Sequence, residues 1–158
     1  MVFDAQPGKM QLRLSVESAD AQVIDSEVRE ITVPDLTGQT VLGTPAVFRV
    51  RTPRELQQVK ADAKAVPTAA REFTRTERLL IRVSAYGPAA TTPKLTARLL
   101  NRAGQAMTDL PVTAAASSDA PSEIEVPLAS LSAGEYLLEI TAAGESGAQE
   151  LIGFRVTG

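Results

Sequence analysis

Residues 131–142 read LSAGEYLLEITA, and the position of one aromatic ring within them decides the kind of fold to expect. Tyr136, Leu138, Ile140 and Ala142 fall on one parity, and Glu135, Leu137, Glu139 and Thr141 on the other. That is the period of a strand with one face in a core. Gly134 stands at the corner just before it. A tyrosine at the start of a strand after such a corner can turn its hydroxyl back to upstream backbone and pin the connection.

Similar alternation recurs on both sides of this stretch. Upstream lie Ile124, Val126 and Leu128; downstream, past a turn expected at Gly144–Gly147, lie Ile152, Phe154 and Val156. Further upstream Leu79, Ile81, Val83 and Ala85 alternate with Leu80, Arg82, Ser84 and Tyr86, and Leu95, Ala97 and Leu99 with Lys94, Thr96 and Arg98. NRAGQ at 101–105 reads as a short hairpin connection into AMTDLPV. LPVTAAASSDAPSE at 110–123 reads as a loop crossing between layers. From Ala46 onward, strands are expected at 46–51, 79–86, 94–100, 106–112, 123–128, 135–142 and 149–157. Seven short strands with turns every eight to twelve residues predict an all-β protein, an immunoglobulin-like or fibronectin-III-like β-sandwich. Tyr136 then takes the tyrosine-corner position, with Gly134 as its structural companion. The chain has no cysteine and no tryptophan, so the disulfide and core tryptophan of antibody domains are absent and the fibronectin-III-like variant fits better.

The sandwich is expected to occupy 46–158, preceded by a hairpin extension over 1–45. In KMQLRLSVES at 9–18, Met10, Leu12, Leu14 and Val16 alternate with polar residues, which predicts a half-buried strand. A return strand follows in AQVIDSEVREITVP, with Val23, Val28, Ile31 and Val33; its alternation slips around Asp25 and Ser26, where a bulge is expected. PDLTGQ at 34–39 is turn chemistry. One short helix is predicted near 53–65, because TPRE at 52–55 is a capping box with Pro53 in the first helical position, Thr52 and Glu55 being its structural residues. Leu56, Val59, Ala63 and Val66 supply a modest apolar stripe that Pro67 ends. No internal repeat stands out.

Composition removes several function classes. The 158 residues are 44% hydrophobic and 22% charged, in keeping with an ordinary folded domain. Without cysteine there are no thiolate nucleophiles and no zinc–thiolate sites, and without histidine the commonest general base and metal ligand are missing. No G-x-S-x-G, S-x-x-K, P-loop or G-x-G-x-x-G arrangement occurs. Asp20, Asp25 and Glu27 lack the dense spacing of a calcium loop and read as solvated turn carboxylates. Exposed aromatic platforms for glycans are not indicated either, since Phe48, Phe73, Tyr86, Tyr136 and Phe154 mostly fall in strand patterns. No catalytic residue, cofactor or metal ligand is expected. No stretch approaches the roughly 20 apolar residues of a spanning helix, so membrane insertion is not expected.

REFTRTERLLIR at 71–82 spaces Arg71, Arg75, Arg78 and Arg82 like a helical basic stripe. It runs into a strand pattern, however, where Arg71 and Arg75 share one parity and Arg78 and Arg82 the other. With a net charge of −3, nucleic-acid binding is not expected; the arginines should pair with carboxylates or lie over the sheet, with Phe73 as an anchor.

The succession VPDLTGQTVLGTPAVFRVRT, AVPTAAREFTRTERLLIRVSAYG, LTARLLNRAGQ, LASLSAGEYLLEITA and GFRVTG resembles the C-terminal region of bacterial secreted proteins of the von Willebrand factor A-related acidobacterial type. The resemblance implies an extracytoplasmic immunoglobulin-like module and not an enzyme. It brings no metal-dependent adhesion, because the D-x-S-x-S motif is missing and Asp25-Ser26-Glu27 is the nearest match. MVFDAQPGKM lacks the features of a signal peptide, so the expectation is a piece of a longer secreted precursor. The expected function is a non-catalytic module serving contact with other protein domains or spacing between them. The alternatives are an accessory domain of an enzyme whose catalytic part lies elsewhere, or a glycan-binding module.

Overall fold

The structure is a computed structural model that describes residues 5–117, 120–144 and 147–158. The chain divides into two compact units, Met1–Thr37 and Gly38–Gly158. Sequence reading put this boundary at residue 45. It falls earlier because Val41–Leu42 pair with Ala85–Tyr86 and so belong to the second unit.

In the first unit two antiparallel strands, β1 (Gly8–Glu17) and β2 (Val23–Val33), form a ribbon. Ser18 and Ala21 close its tip, Ala21 N–H donating to the Ser18 carbonyl at 3.0 Å. The bulge lies one residue before the expected place: Val16 faces Asp25 and Glu17 faces Val23, leaving Ile24 unpaired. The predicted alternation is present, but the predicted burial is not. Leu14 and Val16 remain 47% and 58% exposed, because two strands alone supply no second layer to cover an apolar face.

The second unit is an all-β sandwich. Its elements are β3 (Val41–Leu42), β4 (Ala46–Val50), α1 (Pro53–Ala61), β5 (Glu72–Thr74), β6 (Arg78–Val83), β7 (Ala85–Tyr86), a 3₁₀ turn at Pro88–Ala90, β8 (Leu95–Asn101), β9 (Ala106–Leu110), β10 (Val112–Thr113), β11 (Ser122–Pro127), β12 (Gly134–Ala142) and β13 (Ala148–Thr157). One sheet has the order β10-β11-β6-β4 and the other β5-β13-β12-β8-β9; β3 and β7 make a small separate pair. Within the larger sheet β5 runs parallel to β13, and the other pairings are antiparallel.

Each of the seven expected strands has a counterpart, and the departures have local causes. The long strand expected at 79–86 breaks at Ser84, whose carbonyl leaves the ladder to accept from Gly43 N–H at 2.8 Å. The strand expected at 106–112 breaks at Pro111, which has no N–H to donate, and the chain changes sheet there, from β9 to β10. Part of the connection that follows, and the middle of the turn expected at Gly144–Gly147, lie outside the described residues. At Asn101–Gln105 the connection closes as expected: Asn101 Oδ1 accepts from the N–H groups of Ala103 and Gln105, and Gly104 adopts the positive φ of 77° that favours glycine.

The core lies between the two sheets. Leu79, Ile81, Val83, Ile124 and Val126 from one meet Leu99, Tyr136, Leu138, Ile140, Phe154 and Val156 from the other. A smaller cluster of Phe48, Val50, Leu56 and Leu80 lies under α1. β6 is thus buried on both faces, which accounts for the unbroken Leu79-Leu80-Ile81 run. α1 stops at Ala61, short of the predicted residue 65. Asp62 leaves the helical region, and its carboxylate accepts from Lys64 N–H at 2.8 Å. The apolar stripe therefore ends with Leu56 and Val59, and Val66 points into solvent at 88% exposure.

Candidate interaction surfaces

Four residues singled out from the sequence fall into two pairs. Thr52 caps α1, its Oγ1 accepting from Glu55 N–H at 3.1 Å. Glu55 does not complete the expected reciprocal bond. Its carboxylate accepts from Arg51 N–H at 2.7 Å, one residue further upstream. At the start of β12 the Tyr136 hydroxyl donates to the Ser132 carbonyl at 2.9 Å, and its ring stacks on Phe154 with centroids 5.8 Å apart. Gly134 is not forced by backbone strain: a Cβ there would meet the Tyr136 ring at an ordinary 3.8 Å. Both pairs maintain the scaffold; Thr52 lines one depression of the surface, and Gly134 and Tyr136 line another.

The four arginines of 71–82 are individually occupied. Arg71 donates to the carbonyls of Thr68 and Ala70, Arg75 to that of Ala129, and Arg78 to Glu125. Arg82 does the most. Its guanidinium lies over the Phe48 ring and donates to Glu123 and to the carbonyls of Val59, Lys60 and Asp62. It thereby closes the open end of α1, whose last carbonyls have no partner within the helix. Their bonds run to different parts of the fold, and two of the four, Arg78 and Arg82, pair with carboxylates. Phe73 is buried in the core, edge-on to Phe154, an anchor stabilising by about 2 kcal/mol.

Sequence reasoning missed Glu77 as a structural centre. Its carboxylate accepts from Thr74 N–H at 2.8 Å and from Arg51 Nε at 3.2 Å, with Arg49 Nε at 3.5 Å. Burial pushes this carboxyl up, yet the Thr74 N–H and the two guanidinium groups together outweigh burial and hold it below its ordinary value. Its two guanidinium partners, Arg49 in β4 and Arg51 just past it, lie more than twenty residues upstream, and no local signal announced them.

On the outer face of the five-stranded sheet a shallow groove of about 440 Å³ opens where Gly153 stands beside Leu137. A row of alternating charges borders it: Glu72 of β5, Arg155 of β13, Glu135 of β12 and Arg102 of the β8–β9 turn. Successive separations are 3.6, 2.8 and 3.2 Å. The Arg155 hydrogen bond, helped by Arg102, holds the Glu135 carboxyl below its ordinary value; Glu135 raises Arg155 in return. An incoming charged group has to displace one of these pairs. The groove therefore offers shape and paired charge.

The second surface is the β1–β2 ribbon, whose Leu14, Val16, Val23, Ile24 and Val28 are more than 45% exposed. Asp25 and Glu27 accept from their neighbours Ser26 and Arg29. Among the described residues no group of three or more metal-ligating side chains gathers anywhere. No helix among them is long and apolar enough to cross a membrane. No family model matches the chain, and no curated protein matches it.

Proposed function

We propose that this chain is a non-catalytic immunoglobulin-like module of a secreted or surface bacterial protein, serving contact between protein domains. Strand order supports the immunoglobulin-like part. In the lettering of such folds the sheets read A-B-E-D, for β4-β6-β11-β10, and A′-G-F-C-C′, for β5-β13-β12-β8-β9. The Tyr136 to Ser132 hydrogen bond stands at the E–F corner of that scheme. The extracytoplasmic setting rests on the resemblance of 33–158 to the C-terminal region of von Willebrand factor A-related proteins.

The observation that carries the contact function is the ribbon. Its exposed Leu14, Val16 and Ile31 lie on one face of the ribbon and are β-strand side chains shaped for a pleated apolar partner. The charged groups bordering the groove are already paired with one another. Crosslinking mass spectrometry on the full-length protein in its native cell envelope is expected to join residues 8–33 to other protein segments, with glycan-array and duplex-DNA binding both blank. Retention on a defined glycan, or a ribbon without crosslinks beyond its own loops, contradicts the reading.

A further inference from the structure

The two hairpins of this chain share one construction. β12 opens at Gly134 paired with Val156, and β1 opens at Gly8 paired with Val33. Counting from each glycine, the second, fourth, sixth and eighth positions are Tyr136, Leu138, Ile140 and Ala142 in β12, and Met10, Leu12, Leu14 and Val16 in β1. The residues facing them continue the match: Tyr136 faces Phe154 and Met10 faces Ile31, while Ile140 faces Glu150 and Leu14 faces Glu27. The intervening positions Glu135, Glu139 and Thr141 correspond to Lys9, Arg13 and Ser15, polar in both. On the outer face Gln11 and Glu30 stand where Leu137 and Gly153 do; on the apolar face two positions depart, Arg29 standing where Ile152 does and Asp25 where Ala148 does. Neither spoils the stripe on β1.

Their surroundings are opposite. Tyr136, Leu138, Ile140 and Ala142 are buried, with β8 antiparallel on one edge of the hairpin and β5 parallel on the other. In the ribbon, β1 and β2 pair only with each other, and Leu14, Val16 and Ile31 are exposed. The strands that flank or cover β12–β13 also precede it in the chain, because this hairpin closes the sandwich.

We infer that Gly8–Val33 is the closing hairpin of a second sandwich, and that its apolar face is covered by the earlier strands of that sandwich, in the polypeptide upstream of residue 5. This rests on the immunoglobulin-like reading of the second unit. The missing partners are specified by the match: an antiparallel strand along β1, a parallel one along β2, and an opposing sheet that brings apolar side chains onto Leu12, Leu14 and Ile31.

The test compares this 158-residue chain with its own reading frame extended upstream by about one domain, roughly 100 residues. In the short chain the β1–β2 amides are expected to exchange at nearly unprotected rates; in the extended chain they slow at least about a hundredfold, toward the range of a folded core. Leu14→Asp in the extended chain abolishes that protection, whereas Ser15→Asp on the opposite face preserves it. Three results overturn the inference: a reading frame that begins at Met1, an extension that leaves the ribbon exchanging as before, or ribbon protection already present in the dilute short chain. A protected ribbon in the extended chain without envelope crosslinks would sustain this inference and remove the contact function, so the two fail separately.

Discussion

Tyr136 serves the core and the corner with one side chain, its ring stacked on Phe154 and its hydroxyl tied to Ser132. Tyr136→Phe keeps the ring and removes only the bond. It is expected to lower the urea midpoint by the equivalent of about 1 kcal/mol with the slope unchanged, and an unaltered midpoint would show that the bond contributes nothing. Glu77 is the residue where pH should act. Its folded pKa is depressed, so the stability it brings is present above about pH 4.5, where an unfolded glutamate titrates, and is lost as pH falls through the folded value. Glu77→Gln is expected to cost about 1–3 kcal/mol at neutral pH and to flatten the acid limb of a stability-versus-pH curve; a variant with the same acid limb contradicts this. Tyr136 was legible in the sequence because a glycine corner and a period-two run bracket it within twelve residues. Glu77 was not. Arg49 and Arg51, its partners across the fold, lie more than twenty residues upstream, and only the closed β4–β6 pairing brings them to it.

At the scale of elements, strands were more legible than their interruptions. Alternation located β6, β8, β11, β12 and β13 within one residue at most ends. It could not show that Ser84 leaves the ladder, since that depends on Gly43 lying alongside, and alternation alone passed over Pro111, whose missing N–H ends β9. β5 was invisible because three residues carry too little pattern, although Phe73 was read as an anchor. The helix was found from its cap and overextended at its C-terminus, where Arg82, twenty residues later, takes the last carbonyls. Arg82→Ala is expected to destabilise by about 2–3 kcal/mol and to raise hydrogen exchange first in Pro53–Ala61. Arg82→Lys should recover little, because a single ammonium cannot span three carbonyls and a carboxylate. Full recovery by lysine would mean that charge alone holds the helix end.

For the molecule as a whole, two hairpins of one design meet different fates: β12–β13 is sealed in a core and β1–β2 is left open. The likeness was available in the sequence at Gly8 and Gly134, but it emerges only once pairing registers align them, since few residues are identical between the two stretches. An isolated two-stranded ribbon is marginal in water, so an exposed apolar face on one implies a covering partner. The most direct measurement is residue-resolved amide exchange on the dilute 158-residue chain. The account predicts slow exchange through β6, β8, β11, β12 and β13, set by the stability of one sandwich, together with near-unprotected exchange through Gly8–Val33. Equal protection of the two hairpins would contradict it.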